Sequence, residues 1–492
     1  MKKITKIIIC ALTAIAVLGA SLGVYFGYSD TSFKQREYTV DSEDGMLRVA
    51  VISDLQLPDS NDKTTHQYES FEATLTMLKN RGMDVLVIAG DFTDVSTKAA
   101  WGTYKEIYDK VMADAELPVK LCIMGNHDYW LPMFNECFEI PSPAKQQRRY
   151  TKYTGEPVNS HNVINGYHFI CWSSLDGSYD KCNKNTDKVR AELDKAVKDD
   201  PNKPIFVITH LNPQDTAYGS DDWGNADINT VLKDYPQVIS ISGHSHYSLI
   251  DERSIWQRDY TAFTTQSLDY IELEHGKFNG SVPKDAYGNN IAEAVPGCLY
   301  MTVSQDNVTV ERLEANTGKQ LKEPWVINAP FGKNTQFTQA RSDSNAAPTL
   351  DKDLTVKITD IKDVNNGSDS KMISFKAGAD DDFVHSYKLK FYDESNNLLS
   401  FEETDYSEGY VIKYDKNGDK VSKDSKKYES AEPKSVDELL YFSDFVLGLE
   451  NMSDTAELRL PVNLPDSAKY VSITAIDSWG AESNTVMCEM EG

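Results

Sequence analysis

Cysteine is scarce in this chain, seven residues in 492, which excludes a disulfide scaffold as the source of its stability. Positive charge is scarce as well: 50 Lys and Arg stand against 76 Asp and Glu, a formal net charge of -26, and the sequence pI is near 4.8. Outside the first residues there is no Lys/Arg-rich block. A chain without phosphate-neutralising patches gains no affinity from counterion release, so no nucleic-acid polymer is expected as a partner and a nuclease acting on long polymers is disfavoured.

What is present is a series of apolar, β-branched runs that read as buried strands, each ending in a polar cluster. Arg48–Ser53 leads into Asp54-Leu55-Gln56, and Asp84–Ala89 into Gly90-Asp91-Phe92-Thr93-Asp94. Val119–Met124 leads into Gly125-Asn126-His127-Asp128, Ile205–Thr209 into His210, and Val238–Ser242 into Gly243-His244-Ser245-His246. In layered α/β proteins the carboxyl edge of a sheet is where short loops converge side chains on one point without exposing the core. Carboxylates and imidazoles with no thiolate among them suit Mn, Fe, Zn or similar divalent ions. Two such ions about 3.5–4 Å apart clamp a phosphoryl group and acidify a water. Asp91 is the candidate to reach both ions, since it follows a strand and a glycine that permits a tight turn.

This ordered set resembles the calcineurin-like metallophosphoesterase family, whose signature is D-x-H, G-D-x-x-D, G-N-H-D/E, a lone His and G-H-x-H. The resemblance covers roughly residues 46–330. It implies an α/β (α+β) four-layer sandwich of two sheets flanked by helices. It further implies that Asp54, Asp91 and His246 hold one metal, and that Asp91, Asn126, His210 and His244 hold the second. His127 matches the non-ligand His that assists departure of the leaving group after attack by a metal-bridging hydroxide, and Asp94 the carboxylate that orients it. One position departs from the pattern, because Gln56 stands where D-x-H places a His. A carboxamide oxygen is a harder, weaker donor than an imidazole nitrogen, so Gln56 as a ligand favours looser binding or harder ions.

Taken singly, each residue also has an ordinary reading: Asp54 as a helix cap, Asn126 as a turn residue. His66, His161, His168 and His385 lack a motif and read as surface or strand histidines. Tyr129, Trp130 and the segment Tyr218–Asn225 lie beside the site and could stack on a sugar or base; for Trp130, simple loop packing is the favoured reading. Asp221 and Asp222 would repel a polyanionic substrate.

Lys2, Lys3 and Lys6 precede an apolar run from Ile7 to about Gly27, ~20 residues and long enough to span a bilayer. The positive flank keeps the start cytoplasmic and the rest outside. An uncleaved signal anchor over residues 1–29 is favoured over a removed signal peptide, since Leu18-Gly19-Ala20 is a loose cleavage site. Cys10 lacks the small residues expected before a lipoprotein cysteine. Cys122 and Cys171 read as core, and pairing among Cys137, Cys182, Cys298 and Cys488 stays open.

The expected domain organisation is the phosphoesterase over 30–338, a small polar linker at 339–349, and a β domain over 350–492. Asp259–Ser267 and Leu299–Val303 are expected as closing strands of the second half of the sandwich. Beyond the linker, alternation in Leu354–Ile358, Met372–Lys376, Tyr387–Tyr392, Ala456–Leu460 and Tyr470–Ile476 predicts half-buried antiparallel strands. This resembles a fibronectin type III or immunoglobulin-like sandwich. Asp415–Lys420 lacks the Gly and the acid of a calcium loop and reads as an Asn417-Gly418 hairpin turn.

The expected function is thus an extracellular, membrane-anchored, dinuclear-metal phosphomonoesterase or phosphodiesterase. Its partners are the cytoplasmic membrane through the N-terminal segment and, by analogy, cell wall or polysaccharide through the β domain. The rival from another class is a surface adhesin that keeps the phosphoesterase domain only as a scaffold.

Overall fold

The computed structural model describes residues 32–42, 44–131, 142–178, 185–272, 295–362, 369–405, 410–460 and 463–491. The apolar N-terminal segment, Cys10, Cys137 and Cys182 lie outside these residues. Among the described residues no helix is long and apolar enough to cross a membrane. The chain divides into two compact units, one of Met1–His246, Ile255–Asp269 and Gly297–Gln336, the other of Tyr247–Ser254, Tyr270–Pro296 and Phe337–Gly492.

The first unit contains strands β1 (Phe33–Tyr38), β2 (Leu47–Ile52), β3 (Val85–Ile88), β4 (Val119–Cys122), β5 (Asn159–Ile164), β6 (Tyr167–Trp172), β7 (Ile205–Thr209), β8 (Asn212–Pro213), β9 (Gly224–Asn225), β10 (Val238–Ser242), β11 (Ile255–Gln257), β12 (Thr261–Thr264), β13 (Gly297–Val303), β14 (Asn307–Glu314) and β15 (Gln320–Asn328). They build a six-stranded sheet in the order β15-β14-β13-β2-β3-β4 and a seven-stranded sheet in the order β1-β5-β6-β7-β10-β12-β11, while β8 and β9 form a separate pair. The pairs β2/β3, β3/β4, β6/β7, β7/β10 and β10/β12 are parallel, so their carboxyl ends share an edge.

The central strands β3 and β7 are buried at every position, which is why they are apolar without alternation. On the six-stranded sheet Ala50, Ile52, Leu86, Ile88 and Cys122 pack under helices His66–Arg81, Lys98–Met112 and Pro143–Thr154 through Phe71, Leu75, Trp101, Ile107 and Tyr150. Val49, Val51, Val85 and Val87 point the other way and are buried too. On the seven-stranded sheet Ile170, Trp172, Val207 and Ala262 pack under helices Thr186–Asp199 and Ala226–Leu232 through Val189, Leu193, Ile228 and Val231. Phe263 of β12 meets Trp325 of β15 with ring centroids 6.1 Å apart, joining the inner faces. The result is helix, sheet, sheet, helix, four layers as expected. Thr65 and Thr97 start the first two helices by accepting from the N–H groups of Tyr68 and Ala100, the side-chain capping that Thr favours.

One expectation is corrected here. Leu299–Val303 belongs to the six-stranded sheet, running antiparallel to β2 with Leu299 opposite Val51, rather than closing the second half. Of the two expected closing segments, Asp259–Ser267 is the one that supplies a strand beside β10, namely β12. Cys122, Cys171, Cys298 and Cys488 are free and buried.

The second unit carries β16 (Val356–Lys362), β17 (Asp369–Lys376) and β18 (Val384–Tyr392), followed by strands Leu439–Phe442, Thr455–Arg459, Tyr470–Asp477 and Val486–Glu491. Its core forms where alternation aligns across strands: Tyr387 opposite Ala475, Leu389 opposite Ile473, Phe391 opposite Val471. Strand Val486–Glu491 pairs antiparallel with Tyr470–Asp477 and, at its end, parallel with β16. Asp415–Lys420 is a hairpin turn: Tyr414 pairs with Lys420 and Gly418 takes φ 87°.

Candidate active site

The five polar clusters gather where β2, β3, β4, β7 and β10 end. Strand pairing continues beyond β2 and β3, with Asp54 N–H donating to Gly90 O and Gln56 N–H to Asp91 O, both at 3.1 Å. The loops carrying Asp54, Gln56 and Asp91 are therefore held side by side. The motif glycines are required by contact: a Cβ on Gly90 would lie 2.5 Å from His210 Nδ1, and one on Gly125 2.8 Å from Asp91 Cγ. Asp54, Gln56, Asp91, His244 and His246 all adopt positive φ, between 41° and 66°. Non-glycine residues there cost free energy that the surrounding structure must offset, and such residues concentrate at functional sites.

The side chains these backbones aim at one another are mostly acceptors. His210 Nδ1 is 2.8 Å from Ala89 O; since a carbonyl only accepts, Nδ1 carries the proton and Nε2 of the neutral ring presents a lone pair. That Nε2 lies 3.0 Å from Asp91 Oδ2 and 3.1 Å from Asn126 Oδ1. Asp91 Oδ2 makes no hydrogen bond, and neither does Asn126 Nδ2. Asp91, His210 and His244 place one ligand atom each within 4.8 Å of one another. Next to them Asp54 Oδ1 lies 3.1 Å from His246 Nε2 and 3.9 Å from His210 Nε2, again without a hydrogen bond. Gln56, buried, puts its amide nitrogen 3.5 Å from His246 Nε2.

Buried acceptors that face one another destabilise the fold unless a cation lies among them. The electrostatics express the same demand. Burial would pull His210 down, but the Asp91 carboxylate more than offsets it and raises the imidazole to about 9. His244 is held well below the ordinary histidine value by burial and by His210. Burial would push the Asp54 carboxyl up, yet His246 and His210 hold it well below the usual carboxylate range. A field that holds protons on imidazoles would hold divalent cations instead, and the donor set of carboxylates, imidazoles and carboxamides fits Mn, Fe or Zn.

His127 flanks the cluster. Its N–H donates to Asp91 Oδ1 at 2.9 Å, and its Nδ1 lies 2.8 Å from the Asp94 carbonyl oxygen and 3.3 Å from the Asp94 carboxylate. Asp94 thus orients the ring chiefly through its backbone. Burial opposes charge on His127, but Asp91 and Asp94 raise it to about 9. Asp128, given no role in the sequence reading beyond its place in the motif, is fully buried and ties two loops together. It accepts from Thr93 N–H and Oγ1 at 3.2 Å and from Gly125 N–H at 3.0 Å. Burial and the nearby Asp91 charge push its carboxyl up to about 8.

Tyr129 is buried and donates to Ser174 O, so it packs the loop rather than meeting a substrate. Trp130 lies against the His127 ring, centroids 4.0 Å apart. Trp223 meets His244 edge-on at 5.6 Å. Of the surface and strand readings of His161 and His168, the strand reading holds. They sit buried on β5 and β6, with His161 Nε2 2.8 Å from His168 Nδ1, His161 Nδ1 2.8 Å from Glu192 and His168 Nε2 3.1 Å from Asp199. His385 is likewise buried, among Phe383, Phe442 and Phe445.

Residues 47–248 match the calcineurin-like phosphoesterase family. This part of the chain is a calcineurin-like, metal-dependent phosphoesterase domain. No curated protein matches the chain. Among solved structures, a purple acid phosphatase from yellow lupin seeds aligns at 11% identity and a TM-score of 0.42, covering 59% of this chain, which spans 55% of the lupin protein. A conserved protein of Streptococcus pneumoniae aligns at 8% identity and 0.26, covering 57% of this chain and 98% of its own. Vacuolar protein sorting 29 of Cryptosporidium parvum aligns at 11% identity and 0.29, with 57% and 98% covered.

Proposed function

We propose that this chain hydrolyses phosphomonoesters or phosphodiesters at the cluster of strand-end residues, with two divalent cations. Asp54, Gln56, Asp91 and His246 would hold one, and Asp91, Asn126, His210 and His244 the other. The observation that carries the reading is the approach of Asp91 Oδ2 and Asn126 Oδ1 to His210 Nε2, at 3.0 and 3.1 Å, with Asp91 Oδ2 buried and without a hydrogen bond. When bound, such ions supply Lewis acidity toward phosphate oxygens and lower the pKa of water.

The chain's own residues do the rest. Gly90 and Gly125 let the Asp91 loop, the Asn126 loop and His210 close to contact, fixing the ligand geometry. Asp128 locks the Gly90–Asp94 and Gly125–Asp128 loops together from beneath. His127, with Nδ1 engaged by Asp94, offers Nε2 as the atom that gives a proton to the departing oxygen. Asp221 and Asp222 near the His210 strand, together with the acidic surface, favour small phosphate esters over polyanions.

The apolar run behind Lys2, Lys3 and Lys6 supports placing the enzyme outside the cell on a single N-terminal anchor. In the second unit, the seven-stranded order Leu439–Phe442, β18, Tyr470–Asp477, Val486–Glu491, β16, β17, Thr455–Arg459, with its alternating core residues, is what supports a fibronectin type III or immunoglobulin-like module. Spacing from the membrane, or contact with cell-wall polysaccharide, is the role proposed for it. The test is hydrolysis of aryl phosphate monoesters and diesters by the purified chain with Mn. Activity that His127→Ala lowers at least about 100-fold is expected; no hydrolysis with any divalent metal overturns the reading.

A further inference from the structure

We propose that Trp130 is a positioning residue for the proton-transfer step: its indole fixes the plane of the His127 imidazole and so aims Nε2. The proposal rests on the reading of His127 as the leaving-group acid.

His127 opens a single turn of three residues, His127–Tyr129, too short to restrain its side chain by helix packing. Asp94 holds only one ring nitrogen, Nδ1. A hydrogen bond at one ring atom leaves rotation about that contact open, and rotation swings Nε2 away from any fixed substrate position. The Trp130 ring, 4.0 Å from the imidazole centroid at 40°, closes that freedom by contact with the ring face.

The indole can serve as a wall because it is itself anchored at three points. The Trp130 N–H donates to His127 O at 3.0 Å, its carbonyl accepts from Ser96 N–H at 2.7 Å, and Nε1–H donates to Gly177 O at 3.1 Å. Ser96 is two residues beyond Asp94, so one residue sets both the wall and the loop that holds Nδ1. Gly177 lies flat against the indole edge: a Cβ there would come 2.8 Å from Cδ1 and Nε1. Loop packing alone would need none of this registration with the imidazole.

The experiment measures kcat and KM for wild type, Trp130→Ala, Trp130→Phe, His127→Ala and the double variant, on aryl phosphates with good leaving groups and alkyl phosphates with poor ones. An acid matters most when the leaving group is poor. Trp130→Ala should therefore lower kcat about tenfold for alkyl esters, and much less for aryl esters, with KM unchanged. The ratio of the two substrates is independent of how much protein folds. Trp130→Phe, which keeps a ring face, should recover most of the loss, and the double variant should be no slower than His127→Ala. Equal losses on both substrate classes, or losses that multiply in the double variant, overturn the proposal. So does wild-type behaviour of Trp130→Ala beside a slow His127→Ala, which leaves the His127 reading standing. A His127→Ala enzyme at wild-type rate overturns that reading and this proposal with it.

Discussion

The two halves of the ligand cluster differ in how completely the chain supplies them. Around His210, Asp91 and Asn126 every member belongs to the expected pattern, and acceptor atoms meet at 3.0–3.1 Å. Around His246 and Asp54 the approach is as close, 3.1 Å, but the third side chain is the Gln56 amide at 3.5 Å. In the proposed reading a shared Asp91 couples the halves, and their unequal donors make them separable by experiment. On that reading one metal position would be the stronger, and a single side chain, Gln56, would tune the other.

The sharpest way to break the comparison is to remove what the halves share. Asp91→Asn takes away a charge that both ions need, and hydrolysis should fall about 1,000-fold or more, ~4 kcal/mol of transition-state stabilisation. A residual rate near wild type would show that Asp91 does not bridge. Next, Asn126→Ala should remove a ligand from the His210 half alone, lowering activity by about 100-fold at limiting metal and less at saturating metal; metal titration of activity reads the difference. A smaller effect is expected from Gln56→His, which replaces a carboxamide by an imidazole. Affinity at the weaker site should rise on the order of tenfold, ~1.4 kcal/mol, with preference moving toward Zn. Unchanged metal dependence would mean that Gln56 touches neither ion.

The smallest effect lies outside the site, in the buried pair of β5 and β6. Burial, with the neighbouring His168, holds His161 below the ordinary histidine value despite its bond to Glu192. A histidine depressed in the folded state binds its proton more readily once unfolded, so its contribution to stability is present above the ordinary value of 6.5 and is lost as pH falls below it. Tm should therefore decline between pH 7.5 and 5.5, and His161→Gln should flatten the decline. An identical slope in the variant would remove His161 from the account.

The catalytic half of the molecule could be read from sequence because its signals are local. Each β-branched run stops at a glycine, an aspartate or, after Ile205–Thr209, a histidine, and the strands Ile205–Thr209 and Val238–Ser242 fall where their apolar stretches do. The ligands follow within a few positions of each end. What local sequence does not disclose depends on distant pairing. That Leu299 would lie opposite Val51 leaves no trace in either segment, and polar β5 (Asn159–Ile164) carries no hydrophobic pattern although it is almost wholly buried. Its His161 reads equally as a surface or a strand histidine, because the partners that allow its burial, His168 and Glu192, come from another strand and a helix. The role of Asp128 is hidden for a similar reason: its partners Thr93 and Gly125 meet it only in the folded loops. The second unit shows the converse, since alternation disclosed five of its strands while the short edge strand Leu439–Phe442 gave too few residues to show a period.

The central claim is that one cluster holds two divalent ions through a shared Asp91. Metal content of the purified chain after loading with Mn and desalting, measured by mass spectrometry beside Asp91→Asn, tests it most directly. The account predicts two ions per wild-type chain and essentially none in the variant; a wild-type chain holding one ion or fewer, or a variant that keeps both, would contradict it.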